Sequence, residues 1–495
     1  MDSRLRGNDG KEMLDDLIKE RQKKLEALKN AGVDPYPARA KRTHAIGAAL
    51  EKFEELSSSG KEISVAGRLL SVRDQGKIIF ADIEDESGKI QIVLKDETTK
   101  DLDLWKETLD IGDFIGATGP LFETKRGEKS MEAHEVQMLS KSLLPLPDKF
   151  AGIEDEELKL RQRYLDLLTN PETREIFRKK SVFWKSVREF MQREGFMEVE
   201  TSVLEPVAGG AEAEPFKTHH NALDTDFNLR ISLELQLKKL IVGGYEKVFE
   251  IGRVFRNEGI DRDHLQDFTF MESYWAYHDY RDKMDLMERL FKEVIQKTCG
   301  SLTTMWQGHT VDWSGQWPDV DYVGAFKKEN GFDPTMATRE ELIARAEALN
   351  IKLEPNIERG RLIDLIYKKT VRPKLIQPCF LTGTPLIISP LSKASRENPE
   401  IAERFQIVAC GAELCNGYSE LNDPIDQRAR FEAQMKLREG GDVEAMPLDE
   451  DFLTALSYGM PPTTGQGMSE RVFAILMDKP VRETVFFPLM RSKGK

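Results

Sequence analysis

Two short stretches far apart in the chain, Phe268–Tyr274 (FTFMESY) and Glu413–Leu421 (ELCNGYSEL), share an alternation that few folds accommodate. Residues two apart on a strand point to one face. Phe268, Phe270, Glu272 and Tyr274 therefore form one row, and Asn416, Tyr418 and Glu420 form another that alternates with Gly417 and Ser419. Acids, hydroxyls and rings set into apolar runs fit a sheet with one face on a core and the other forming the floor of a binding site. A face turned to water is the competing reading, and it has to hold for both rows. Upstream, RVFRNE aligns Val254, Arg256 and Glu258; a hairpin with FTFMESY then sets Arg256 and Glu272 on one surface. The loop between them adds Arg262, Asp263 and His264. Charge at this density is costly to bury alone, so it marks either a solvated hairpin or a site for a charged ligand.

The rest of the chain changes period several times. Leu14, Leu17, Ile18, Leu25 and Leu28 lie on one helical face that ends at Gly32, Pro35 and Pro37. The aperiodic opening MDSRLRGNDG makes Met13 the expected translation start. Residues 63–145 contain ISVAGRLLSV, KIIFADI, KIQIVLK, IGDFIGATGPLFET and SMEAHEVQMLS, five strand-like runs with a helical interruption near Asp101–Leu109. That pattern suits an OB-type β-barrel, and other five-stranded barrels share it. LLPLPDKF reads as a stiff linker. Beyond it, Asn170-Pro171-Glu172 opens a helix carrying Phe183, Val187, Phe190 and Met191 that stops at Gly195, and FMEVETSVL follows as a strand. Strands dominate 227–280 and 404–421, and 281–403 is largely helical, with a capping box at Thr338–Glu341. The expected fold is α+β: an N-terminal extension and basic helix over 1–60, the OB barrel over 61–145, a linker over 146–169, and a domain over 170–495 with a helical insertion around 300–370.

Composition narrows the function. The net charge of -14 gives no general attraction to nucleic acid, although residues 21–43 hold seven Lys/Arg against two Asp/Glu. A solvated helix face is the favoured reading of that segment. No apolar run is long enough to span a membrane and no signal-peptide core is present, so a soluble cytoplasmic protein is expected. Cys299, Cys379, Cys410 and Cys415 form no C-x-x-C pair, His219-His220 lacks helical metal spacing, and H-E-x-x-H and the P-loop pattern are missing. In TTGQGMSERVFAIL, Gly465 and Gly467 allow close backbone approach to a ligand, and Arg471 falls in the first turn of the next helix.

These motifs occur together in a known order. FRNEG with HLQDFTFMESY, CGAELCNGYSELNDP, and GQGMSER with FFPLMR resemble the second and third signature motifs of class II aminoacyl-tRNA synthetases and the strand between them. GFMEVETSVLEPVAGGAEAEPF resembles the first. From Met13 to Arg491 the chain is most similar to the bacterial-type lysyl-tRNA synthetases of subclass IIb.

The resemblance implies an antiparallel catalytic sheet flanked by helices, an OB domain that reads the anticodon of tRNA(Lys), and a homodimer joined through the Asn170–Gly195 helix and the strand after it. It implies activation of L-lysine by ATP with Mg²⁺. Arg256 would hold the α-phosphate and the substrate carboxylate, and Arg471 the γ-phosphate; paired arginine N–H groups suit both roles. Glu258 and His264 would meet phosphate or adenine, Phe268 would stack on adenine, and Glu413 and Glu420 would hold the metal. For lysine it implies Glu272, Tyr274 and Glu420 at the side-chain ammonium, Tyr418 as a wall, Glu234 and Gly210 at the α-amino group, and Asn416 near the carboxylate. Arg68, Arg73, Phe80, Gln91 and Glu135 would lie at the anticodon, with the basic N-terminal helix adding phosphate contacts; Phe80 has a barrel-core alternative. Two acids in the pocket favour lysine over aspartate, which needs cations. This chain departs from the family at Asp263, where an arginine is usual after the position of Arg262, at Gln406, where an acid is usual, and at Ser469-Glu470, in a third motif one residue short. An aspartyl- or asparaginyl-type enzyme and a non-catalytic RNA binder stay open as alternatives; protein-lysylating relatives lack the OB domain.

Overall fold

A computed structural model describes residues 8–147, 155–259, 264–353, 357–439 and 445–491. The chain divides into two units, Met1–Asn170 and Pro171–Lys495. Among the described residues no helix is long and apolar enough to cross a membrane.

The first unit begins with helix α1 (Asn8–Asn30). Two of its cations are used internally: Arg21 donates to the carbonyls of Ile111, Ser142 and Leu144, each at 3.0 Å, and Lys24 pairs with Asp110 at 2.7 Å. Lys19, Lys23 and Lys29 each pair with an acid three residues earlier. The expected basic face is thus largely neutralised within the unit. Strands β1 (Ile63–Asp74), β2 (Ile78–Glu84) and β3 (Lys89–Lys95) form an antiparallel meander. The fourth expected run is split by Pro120, which lacks an N–H, into β4 (Phe114–Gly119) and β5 (Leu121–Glu123). The fifth is split at Ala133-His134 into β6 (Lys129–Glu132) and β7 (Glu135–Ser140). These breaks let one hairpin serve both ends of the sheet, since β4 pairs with β1 and β7, while β6 pairs with β5 and, in parallel, with β3. The pairing order is β5-β6-β3-β2-β1-β4-β7, so the expected barrel is a curled sheet whose ends come from one broken hairpin. Val65, Leu69, Ile79, Ile83, Ile92 and Leu94 line its core. The segment expected as linker is helical over Glu156–Arg161 and Arg163–Thr169; Asp155 caps the first, accepting from Leu158 N–H at 3.1 Å.

The second unit carries helices α2 (Pro171–Arg193), α3 (Glu234–Val242) and α4 (Tyr280–Cys299). Its sheet consists of β8 (Met197–Glu198), β9 (Lys247–Phe255), β10 (Asp267–Ala276), β11 (Asp319–Asp321), β12 (Cys379–Thr382), β13 (Arg404–Ala409), β14 (Ala412–Ser419) and β15 (Thr463–Ser469), in the order β11-β12-β13-β14-β15-β10-β9-β8. The six central strands are antiparallel as expected, but both edge pairs, β11 with β12 and β9 with β8, are parallel. FMEVETSVL is not one strand: Thr201 donates to Glu250 through its N–H at 3.1 Å and its hydroxyl at 2.7 Å, and only Met197–Glu198 and Leu204–Glu205 stay extended in pairs. The insertion starts as a hairpin, Thr303–Trp306 with His309–Asp312, before helices Tyr322–Asn330, Arg339–Ala348 and Arg359–Thr370; the Thr338–Glu341 capping box is present. One face of the sheet, with Met271, Ile407, Cys415 and Met468, packs with Phe183, Val187 and Phe190 of α2 and Leu290 and Phe291 of α4 in a single core.

Lys141 is the polar anchor of the first unit. It is 2% exposed, and Nζ donates to Thr108 O at 2.7 Å, Asp110 at 2.6 Å and Asp113 at 2.8 Å. Lys141→Met leaves the fully buried Asp113 without a cation, Asp110 keeping Lys24, and is expected to cost about 3–5 kcal/mol, measured by urea unfolding.

Candidate active site

Strand register builds the site. Gln406 lies opposite Asn416, Asn416 opposite Gly467, and Gly467 opposite Glu272; one step along, Arg404, Tyr418, Gly465 and Tyr274 form a parallel row. Directly opposed residues share a face, here the face away from the helical core. At its centre the middle strand presents only glycine to it, Gly465 and Gly467, with Ser469 beyond them. A Cβ at Gly465 would lie 2.1 Å from Glu420 Oε1 and 2.4 Å from Tyr274 Cε1, and one at Gly467 would lie 2.7 Å from Phe270 Cζ. The result is a trough of about 330 Å³. Every residue expected at ATP, lysine or metal lines this one cavity: Gly210, Glu234, Arg256, Glu258, His264, Phe268, Glu272, Tyr274, Glu413, Asn416, Tyr418, Glu420 and Arg471. Arg262 and Asp263 lie outside the described residues.

One end of the trough is acidic. Glu272, 3% exposed, accepts from Ser232 Oγ at 2.6 Å, Leu233 N–H at 2.9 Å and Tyr274 Oη at 2.9 Å. Burial and then the charge of Glu234 push its carboxyl up to about 7, against the pull of those donors. Tyr418 Oη donates to Glu234 Oε1 at 2.7 Å. Glu420 is 1% exposed, and burial raises its carboxyl well above the usual range although Lys238 opposes this. Gly210, at φ +83°, lets its loop close on the start of α3, where a Cβ would meet Glu234 Cβ at 3.0 Å.

The other end is cationic and aromatic. The Arg256 guanidinium lies 5.3 Å from the Phe268 ring centroid and 5.9 Å from that of Phe270, and its Nε donates to Ile231 O at 3.2 Å. Arg471 opens the helix Arg471–Leu476, its N–H donating to Ser469 Oγ at 3.2 Å. Glu470 fixes that turn: it accepts from Thr269 N–H at 3.0 Å and pairs with Lys180 of α2. His264 is exposed, and Glu258 is half-buried.

The expected metal pair is not brought together. Glu413 and Glu420 are seven residues apart on an extended segment, roughly 23 Å at strand rise. Glu420 is instead engaged by Lys238 at 2.5 Å, and the neighbour of Glu413 is Gln406, whose Nε2 donates to it at 2.6 Å. The residues that sequence reasoning passed over are Ser232, Lys238, Glu470 and Arg404, which donates to Asn416 Oδ1 at 2.7 Å and to Ser389 Oγ at 2.9 Å. Ser232 and Arg404 carried no periodic signal. Glu470 carries no signal beyond its place in a shortened motif.

On the first unit, Arg73 faces Phe80, and Asp82 faces Gln91, on adjoining rows of one sheet face. Phe80 is half-buried on that outer face, not in the core. Gln91 borders a groove with Lys89, Arg126 and Lys129. Arg68 stacks over Phe114 at 4.1 Å and donates to Gly112 O at 3.1 Å. Glu135 is not with this group: it sits on β7 opposite Thr118 and pairs with Lys41 at 2.8 Å. The acid beside β3 is Glu132, next to Val93.

Residues 155–491 match the family described as tRNA synthetases class II (D, K and N), and residues 63–139 match the OB-fold nucleic acid binding domain. The chain belongs to the class II tRNA synthetases of this D, K and N group. Within it, the chain is 46% identical over 482 residues to the lysine--tRNA ligase of Moorella thermoacetica, covering 97% of this chain and 98% of that protein. It is 45% identical over 486 residues to the lysine--tRNA ligase of Roseiflexus sp. (97% and 99% covered) and 45% identical over 489 residues to that of Thermoanaerobacter pseudethanolicus (98% and 97%).

Gly465→Ala puts a methyl group where Glu420 and Tyr274 already meet. Overpacking of this kind costs about 1–3 kcal/mol. Amino-acid-dependent ATP–pyrophosphate exchange is expected to fall by roughly 100-fold while the thermal midpoint moves by only a few degrees.

Proposed function

We infer that this chain is a lysine--tRNA ligase, activating L-lysine with ATP and transferring it to tRNA(Lys). The carrying observation is the polarity of the trough: Glu234, Glu272 and Glu420 with two tyrosines at one end, and Arg256 and Arg471 at the other. Lysine brings two ammonium groups and a carboxylate, ATP brings phosphates, and this arrangement meets each charge with its opposite.

In the first step a lysine carboxylate oxygen attacks the α-phosphorus; the new O–P bond forms as the bond to pyrophosphate breaks. Arg256 holds both anions in reach and offsets charge on the α-phosphate, and Arg471 holds the departing end. Phe268 offers a face for the adenine ring. In the second step the terminal ribose hydroxyl of tRNA attacks the lysyl carbonyl and AMP leaves.

Mg²⁺, when bound, neutralises phosphate charge. Glu413, beside the Gln406 amide, would hold it, and a single carboxylate would suffice where substrate phosphates supply further oxygens. For tRNA, Phe80 offers a stacking surface next to Arg73 and Gln91, with Lys89, Arg126 and Lys129 along the groove; such surfaces suit unstacked anticodon bases. A cytoplasmic homodimer joined through α2 and the strand after it completes the proposal.

The test is ATP–pyrophosphate exchange with lysine, aspartate or asparagine as the only amino acid. Exchange with lysine alone is expected. Exchange with aspartate would overturn the substrate, and none with any of the three, from protein that still binds tRNA, would overturn the enzyme. Glu272→Gln is expected to raise the lysine KM by roughly 30-fold or more, about 2–4 kcal/mol, with the ATP KM within about threefold; equal losses would contradict its role.

Because the Glu272 carboxyl lies at about 7, it is neutral at lower pH and ionised above. The lysine KM is therefore expected to rise as pH falls from 8 to 6, approaching about tenfold per unit below that value, and the slope should shrink in Glu272→Gln.

A further inference from the structure

An ammonium group already sits behind the acidic end of the trough. Lys238, on α3, has a fully buried side chain whose Nζ lies 2.5 Å from Glu234 Oε1, one turn earlier, and 2.5 Å from Glu420 Oε2. The rings of Tyr418 and of Phe452, in the helix Glu450–Ser457, lie 5.6 and 5.8 Å from the same nitrogen. Neither bond-making step uses this cation, and it occupies a region built to attract one. The titratable groups around it are Glu234 on its own helix and Tyr418 and Glu420 on and just beyond β14, with Glu272 and Tyr274 of β10 behind them.

Charge counting gives its purpose. Glu234, Glu272 and Glu420 together carry three negative charges when ionised, and of the arginines that line the trough, Arg256 and Arg471 serve the phosphate end while Arg404 is engaged by Asn416 and Ser389. Three carboxylates buried together without a counter-ion hold protons instead of charge, and a protonated acid attracts an ammonium group poorly. With Lys238 beside them, these three acids carry two net negative charges when ionised, which match the two ammonium groups of lysine.

We propose that Lys238 is a specificity-determining positioning residue: a resident ammonium that ties Glu234 and Glu420 at a fixed separation, so that a substrate is accepted only when its two ammonium groups match that spacing. Glu420 Oε1, which lies over Gly465 next to Tyr274, is left turned to the substrate side while Oε2 is held by Lys238. Burial alone would strip the Lys238 proton, but the pull of Glu234 and Glu420 outweighs it and holds the group above its ordinary range.

This inference rests on the ligase reading, and one set of exchange assays separates the two. Lys238→Met is expected to raise the lysine KM by roughly 30- to 100-fold with the ATP KM within about threefold, and to move the pH dependence of the lysine KM upward by about one unit. The preference for lysine over ornithine, one methylene shorter, should fall by roughly tenfold. A purely structural lysine would lower activity toward both substrates alike and leave the pH profile and the lysine-to-ornithine ratio in place; that result would overturn the proposal. Lys238→Arg keeps the charge but alters the spacing. It is expected to keep the wild-type pH profile while losing discrimination against ornithine, and it decides the matter should Lys238→Met fail to fold, since an unchanged ratio would then refute the positioning role. Wild-type protein without lysine-dependent exchange would overturn the ligase reading itself, and this inference with it.

Discussion

Keeping three carboxylates in one nearly dry trough is the constraint on which the catalytic unit depends. Glu234, Glu272 and Glu420 are each 5% exposed or less, and isolated ions in such surroundings are expensive. Each solution comes from a different element. The turn into α3 supplies the Ser232 hydroxyl and the Leu233 N–H to Glu272, β10 adds Tyr274, β14 gives Tyr418 to Glu234, and α3 returns Lys238 to both other acids. The sheet register is thereby tied to the site, because a slip of one residue on β10 or β14 would send Glu272 or Tyr418 into the apolar core beneath.

The opposite end is organised by a different device. Arg256 is braced by a carbonyl and two aromatic rings, and the Glu470 carboxylate spans β10 and α2, fixing the turn from which Arg471 emerges. Charge separation along the trough is thus built into the scaffold before any substrate arrives, the condition under which electrostatic stabilisation requires little reorganisation.

Much of this was legible in the sequence because the decisive signals were local. Period-two alternation in FTFMESY and ELCNGYSEL revealed the two site-facing rows, and the glycines of GQG revealed close approach. What escaped depends on register or on partners distant in sequence. Lys238 follows Glu234 by four residues in ELQLK, a spacing that ordinarily marks a solvated helical pair; only the arrival of Glu420 makes it a buried bridge. Glu413 and Glu420 looked like a shared metal pair because nothing in the sequence says which partner each acid meets. The splits at Pro120 and Ala133-His134, the late start of helix in the insertion and the parallel edge pairs likewise follow from how the sheets curl and end, which no single segment encodes.

The bare middle strand has a consequence for how such a pocket can diverge. At Gly465 and Gly467 the substrate-facing surface is peptide backbone, so there is no side chain left to trim. Substitutions at these two positions run in one direction only, toward a shallower trough. A lineage adapting to a bulkier amino acid has to find its room at the walls, in Tyr274 and Tyr418, whose hydroxyls are already committed to Glu272 and Glu234. Size and charge selection are thereby fused in the same two rings, and neither can drift without disturbing the other.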